Sequence, residues 1–253
     1  MLQYKYDKVT SIDEGIKRLL EIRDAEIPEL KYLRMPEGEY TDVLLLRGER
    51  IPLLHRRYEP RINGMKNYGA AAPDENCQLN TISFIGNDVS LDALIYAELD
   101  LAEYILRSPI VKVTAFINGG AANLLVKTEA GSVAGLELGA TMAPGTVPQV
   151  NHRIITRHGM ATDRTVNNVA EQSGVYLFQN SDSRPFTFDD GEYYLYGLSV
   201  EDSIRATYSF AVVQSKVDKN ELIEQDKHLR DLLAAVHKSA ELGAPVMVSE
   251  VIR

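Results

Sequence analysis

Apolar residues recur along this chain at two spacings, and the changes between them mark its elements. Near the start, Ser11-Ile-Asp-Glu14 forms a capping box, in which Ser11 accepts from the Glu14 N–H and Glu14 reaches back. Ile12, Ile16, Leu19 and Leu20 follow at helical spacing, and Pro28 is expected to stop the helix. Ahead of it, residues 2–9 read as an opening strand. Val43–Leu46 and Ile51–Leu54 are short apolar runs that predict strands, a short helix starts after Pro60, and "QLNTISFIG" predicts another strand. Leu91, Leu94, Ile95, Leu99, Ala102, Ile105 and Leu106 lie on one side of a helix over 91–107.

Beyond that helix the period drops to two. "IVKVTAFI" is a strand, and "ANLLVKTEAGSVAGLELGAT" is two strands around the turn Glu129-Ala130-Gly131-Ser132. "HRIITRHGMATDRTV" and "GVYLFQN" continue the series, whereas "SRPFTFDDGEYYLYG" reads as turn-rich and aromatic. Two helices close the chain, one over 200–214 capped by Ser199 and one over 221–242 ended by Gly243 and Pro245. Runs of strands bounded by runs of helices predict an α+β domain with a large antiparallel sheet. The alternation that a doubly wound nucleotide-binding domain requires is absent, as are repeats and low-complexity tracts.

Composition narrows the function classes. With 45% apolar residues among 253, the chain can bury a sizeable core, as one large domain or two small ones. A net charge of −9 argues against a nucleic-acid surface and against anionic membranes. Cys77 is the only cysteine, so neither an internal disulfide nor a cysteine-based zinc site can form. The N-terminal stretch has no apolar core of the signal-peptide kind, and no run of about 18 apolar residues occurs. These features predict a cytoplasmic protein.

Few motifs carry chemistry. No glycine-rich phosphate loop, zinc-protease or nucleophile-elbow signature is present, and "NGGAAN" reads as a turn between strands. The five histidines, His55, His152, His158, His228 and His237, are scattered, and only a fold that gathers them would make a zinc site. His228 and His237, nine apart, should lie on opposite faces of their helix as surface residues. Arg56-Arg57-Tyr58 could grip a carboxylate or phosphate, because guanidinium forks fit planar anions, but a solvated ion-pair surface explains it as well. Tyr193, Tyr194 and Tyr196 could stack on a sugar or form an edge or interface strand.

Taken in order, these segments resemble the Gfo/Idh/MocA oxidoreductases. Asp7-Lys8-Val9 looks like that family's Glu-Lys-Pro motif, and "TSIDEGIKRLLEIRDA" is similar to the helix after it. "LLHRRYEPRINGMKNY" looks like the lead into the C-terminal domain, "NLLVKTEAGSVAGLEL" like its glycine-centred hairpin, and "AAVHKSAELGAPVMV" like its closing helix and strand. The resemblance implies an open, mostly antiparallel sheet with helices on one face over residues 49–253. Residues 1–48 would then be a remnant of the inter-domain region, with the family's dinucleotide-binding domain missing ahead of Met1.

"LDLAEYILRSPIVKVTA" is similar to the segment around the aspartate of the family's Asp-x-x-x-His-x-x-Asp helix. Aligning on Asp100 puts Ala97 where the acid/base histidine stands and Ala93 where the first aspartate stands. A methyl group transfers no proton. Lys8 and Asp100 are what remains of the implied catalytic set, and Arg56, Tyr96, Glu98 and His152 are the polar candidates for holding a substrate.

The resemblance therefore implies a non-catalytic scaffolding or regulatory relative that oligomerises through its sheet face. Its partner would be a second copy, as dimer or tetramer, or a full-length oxidoreductase subunit. Two other readings stand beside it. One is an enzyme acting on a sugar or polyol, with NAD or NADP supplied by a partner or with Lys8 and carboxylates as the reacting groups. The other is a sugar-binding module. No cofactor and no metal are expected in the chain alone.

Overall fold

The structure is a computed structural model and describes residues 8–70, 77–163, 174–179, 182–187 and 195–251. In chain order the elements are α1 (Ile12–Ile22), β1 (Leu30–Leu33), β2 (Asp42–Leu46), β3 (Glu49–Leu53), a 3-10 turn (His55–Tyr58), α2 (Pro60–Ala70), β4 (Gln78–Gly86), α3 (Leu91–Leu106), β5 (Ile110–Asn118), β6 (Ala121–Thr128), β7 (Val133–Met142), β8 (Gln149–Thr156), β9 (Gly159–Thr162), β10 (Gly174–Gln179), β11 (Asp182–Thr187), α4 (Val200–Val213), α5 (Lys219–Leu242) and β12 (Val246–Met247).

The chain divides into two units. The first comprises residues 1–59 and 189–226, the second 60–188 and 227–253. This division differs from a cut after residue 48, for a physical reason. Arg47 and Gly48, with φ of 52° and 82°, form the tight turn of the β2–β3 hairpin, in which Leu46 pairs with Glu49. A boundary there would sever an antiparallel ladder.

In the first unit, β1, β2 and β3 form a three-stranded antiparallel sheet. Its core takes Leu44, Ile51 and Leu53 from the sheet, Ile16 and Leu20 from α1, and Tyr208 from α4. The Ser11 side chain caps α1 by accepting from the Glu14 N–H, at 3.2 Å. Glu14 reaches one residue further back than expected, to the Thr10 N–H at 2.7 Å. The helix ends at Ile22, well before Pro28, because Asp24 turns the backbone to φ 51°. β1 has no counterpart in the sequence reading. The opening strand at 2–9 falls almost wholly outside the described residues.

In the second unit, nine strands run in the order β11-β10-β9-β8-β4-β7-β6-β5-β12. Every pair is antiparallel except β4–β7. β6 alternates without a break, burying Ala122, Leu124, Val126 and Thr128 and turning the residues between them outward. α2 and α3 pack on the inward face of the sheet. The second unit is thus an α+β layer with a mostly antiparallel sheet. The stretch read as turn-rich contains β11, which pairs with β10 from Gly174↔Thr187 to Gln179↔Asp182.

α3 departs most from its apolar stripe. It is buried nearly all round, including Glu98, Asp100 and Glu103. Buried carboxylates require partners. Glu103 accepts from the Ile110 N–H at 2.6 Å and pairs with His228 at 2.8 Å. His237 pairs with Asp92, also on α3, at 3.0 Å. The two histidines of α5 therefore both reach α3 and are not unrelated surface residues on opposite faces. Ser199 caps α4 and Gly243 (φ 60°) follows α5, as the sequence predicts.

Candidate functional site

The helix that should carry the chemistry delivers one carboxylate to a buried histidine. Ser90 caps α3 through the Ala93 N–H at 3.1 Å, which fixes the start of the helix. Two turns on, Glu98 Oε2 lies 3.0 Å from His152 Nε2. On the other side of the ring, Asp163 Oδ2 lies 2.7 Å from Nδ1, while Asp163 Oδ1 accepts from the His152 backbone N–H at 2.6 Å. Arg61 of α2 stands 3.8 Å from Asp163 Oδ2. Glu98 and His152 are 1% and 0% exposed, and Asp163 is also buried.

Burial disfavours a charge on His152, but the Asp163 and Glu98 carboxylates outweigh it and hold the imidazole at about 9. Burial likewise opposes the charge on Asp163. The His152 cation and Arg61 nevertheless keep its pKa below the usual carboxylate range. His152 is therefore an imidazolium at neutral pH, donating from both ring nitrogens. The group binds α2, α3, β8 and the end of β9 together. The His152 ring and the two carboxylates are enclosed, and the Arg61 side chain is 32% exposed.

A second polar group belongs to the first unit. Asp42, buried at the start of β2, accepts from the Tyr32 hydroxyl, from Arg205 Nε at 3.1 Å and from the Met35 N–H at 2.9 Å. His55 Nδ1 lies 3.5 Å from the same carboxylate without hydrogen-bonding to it. Burial pushes His55 down to about 4, although Asp42 pulls the other way. Burial and the Asp42 charge raise Tyr32 well above its ordinary value, so it stays a neutral donor.

The residues singled out from the sequence divide between the units. Glu98 and His152 meet directly. Tyr96 and Asp100, one turn apart on α3, are buried in the same unit at 1% and 3% exposure. Ala93 is buried and Ala97 half-buried, and neither brings a titratable group. Arg56 belongs to the first unit and is held by Glu59 at 3.4 Å, and Lys8, also there, is exposed. Tyr196 is exposed in a turn, and Tyr193 and Tyr194 lie outside the described residues.

The sequence reading missed Asp163, Arg61, Asp42, Tyr32 and Arg205. One of these was countable. The β8–β9 hairpin pairs Thr156 with Gly159 and Arg153 with Thr162, so Arg157-His158 is its turn, and Asp163 falls opposite His152. Among the described residues no group of three or more His, Cys, Asp or Glu side chains is placed to hold a metal ion. None of their helices is long and apolar enough to cross a membrane.

No family model matches the chain, and no curated protein matches it in sequence. Solved structures do match. An oxidoreductase domain protein from Kribbella flavida superposes with a TM-score of 0.61 at 11% identity, covering 77% of this chain and 64% of its own. An oxidoreductase from Agrobacterium radiobacter, solved with NAD+, L-tartaric acid and magnesium, gives 0.59 at 13% identity over 95% of this chain and 70% of its own. The scyllo-inositol dehydrogenase of Lactobacillus casei, solved with NAD(H) and scyllo-inositol, gives 0.54 at 15% identity over 78% and 64%. The chain has the fold of these oxidoreductases, the Gfo/Idh/MocA type that its motifs resemble, and spans 64% of the length of the first of them.

Proposed function

We propose that this chain is a non-catalytic, scaffolding or regulatory relative of sugar and polyol oxidoreductases that docks on another subunit through the open face of its nine-stranded sheet. One observation carries the reading. On the face away from α2 and α3, Phe116, Leu125, Ile82 and Val133 are 65%, 59%, 43% and 36% exposed, on four adjacent strands. Half-buried Phe84 joins them, its ring lying where a Cβ at Gly139 would come within 2.5 Å. Asn123, Lys127 and Glu137 stand between them on the same face, and large apolar side chains exposed together on one face mark an interaction site.

The non-catalytic part is supported by α3 and Lys8. α3 carries alanine at the two positions where the resemblance expects an aspartate and a histidine, and its Glu98 is committed to His152. Lys8 is exposed.

Light scattering behind size-exclusion chromatography tests the docking. We expect a dimer or tetramer at micromolar concentration and a folded monomer for Phe116→Glu combined with Leu125→Glu. A wild-type chain that stays monomeric overturns the reading. Calorimetric titration with NAD(H) and NADP(H) tests the rest, with no heat of binding expected, and tight binding would return the chain to the enzymes.

A further inference from the structure

A cavity of about 630 Å³ opens in the first unit, within the range of about 300–1,000 Å³ typical of small-molecule sites. Three segments wall it: the loop from α1 to β1, the β2–β3 turn, and the connection from α4 to α5. Backbone hydrogen bonds hold these walls. The Arg47 N–H donates to the Glu29 carbonyl at 2.9 Å, which ties the β2–β3 turn to the α1–β1 loop. Beyond α4, Ser215 turns the backbone to φ 53°, and the Lys216 and Val217 N–H groups fold back onto the Ala211 carbonyl at 2.9 and 3.3 Å. Val212 is buried, and Leu46, Val213 and Val217 are half-buried, so the lining offers a ligand apolar surface as well as charge.

Five charged residues line the cavity, and three of them are committed. Lys219 pairs with Glu49, and Asp218 accepts from the Asn220 N–H at 2.8 Å at the start of α5. Arg47 and Glu26 remain. Neither side chain has an ion-pair or hydrogen-bond partner among the described residues, so they do not neutralise each other although both line one cavity. A guanidinium fork fits a carboxylate, and a carboxylate accepts from an ammonium group. We infer that this cavity binds a small zwitterion of the amino-acid or dipeptide class, with its carboxylate on Arg47, its ammonium group on Glu26 and an apolar side chain over Val213 and Val217. A polyol would leave both charges unanswered. A phosphate would answer Arg47 alone and be repelled by Glu26, Glu49 and Asp218. The site lies wholly in the first unit, whereas the sheet face proposed for docking belongs to the second.

Calorimetric titration of the full chain with L-leucine and with L-leucyl-L-valine tests the site, each probe measured beside its N-acetyl and C-terminal amide forms. We expect saturable binding of at least one free zwitterion, and binding about fivefold or more weaker for each of its blocked forms. In Arg47→Gln the acid and the amide should bind alike, and in Glu26→Gln the free amine and the acetylated form. Both positions are exposed, so the variants are expected to keep the circular-dichroism spectrum of the wild type. A loss of affinity that leaves these preferences intact would mean that the two side chains shape the cavity without touching the ligand, and would overturn the assignment of the charges. No saturable heat from either probe in the millimolar range overturns the site itself. Neither failure touches the docking reading, which rests on light scattering and on substitutions in the second unit.

Discussion

His152 and His55 are both largely buried and both lie beside an aspartate, yet they sit at opposite ends of the histidine range. His152 is held at about 9 and His55 is pushed down to about 4. Burial acts on both in the same direction, so the difference lies in the carboxylates. Asp163 and Glu98 approach His152 at 2.7 and 3.0 Å, from the two sides of the ring, and Arg61 stands 3.8 Å from Asp163. A proton on His152 is therefore shared by two carboxylates at hydrogen-bond distance, which together outweigh the cost of burying it. Asp42 is already paired with Arg205, which also binds Asp202, and is further occupied by Tyr32 and the Met35 N–H. A proton on His55 would therefore add an uncompensated charge. A carboxylate next to a buried histidine predicts its protonation only when that negative charge is still unclaimed.

The largest expected effect comes from removing the His152 ring. His152→Leu leaves Glu98 and Asp163 enclosed with no cation between them, and should cost about 3–5 kcal/mol of unfolding free energy in chemical denaturation. A loss below about 1 kcal/mol would mean that the two carboxylates are not charged in the folded chain, and the comparison would collapse.

Next in size is the response to pH, where the two sites act in opposite directions. The folded pKa of His152 is raised, so its contribution is fully present below the unfolded value of about 6.5 and fades as pH climbs from there through about 9. The folded pKa of His55 is lowered, so its contribution is full above about 6.5 and fades as pH falls towards about 4. Ring-proton NMR of single-histidine variants should show one titration on each side of neutrality. Two overlapping titrations near 6.5 would refute the assignment of both environments.

Arg205→Met probes the cause directly. It frees the charge of Asp42, so the His55 titration should move upward, while stability falls by about 1–3 kcal/mol for the lost partner. An unmoved His55 would show that burial alone sets its value.

The two regions also differ in how far they could be read from the sequence. Period-two alternation gave β5, β6 and β7, and the caps at Ser11, Ser199 and Gly243 gave helix ends, because both signals are local. Glu98 and His152 were identified as polar residues of interest, but not as partners, since 54 residues separate them and only the packing of α3 on the sheet joins them. Asp163 was within reach by counting across a hairpin turn. Asp42 and Arg205 were not, because they are 163 residues apart and meet only when α4 returns to the three-stranded sheet. β1 was missed because Leu30–Leu33 is too short to show a period, and its strand state depends on pairing with β2.

The smallest expected effect is the most discriminating. His55→Phe keeps a ring of similar volume and removes a buried nitrogen that has no hydrogen-bond partner among the described residues. Replacing an unsatisfied polar atom by an apolar one removes its desolvation penalty, which offsets any misfit of the larger ring. Stability at pH 7 should therefore stay within about 1 kcal/mol of wild type. Below pH 6.5 the variant should gain on the wild type, because the wild-type chain is then drawn towards an unfolded state in which His55 can take up a proton. His152→Phe, the same replacement in the other region, should lose stability at pH 7 by about the 3–5 kcal/mol expected for any removal of that cation. If the two phenylalanine variants were equally destabilised, ring volume would be setting both values. The distinction between a claimed and an unclaimed carboxylate would then have no energetic content.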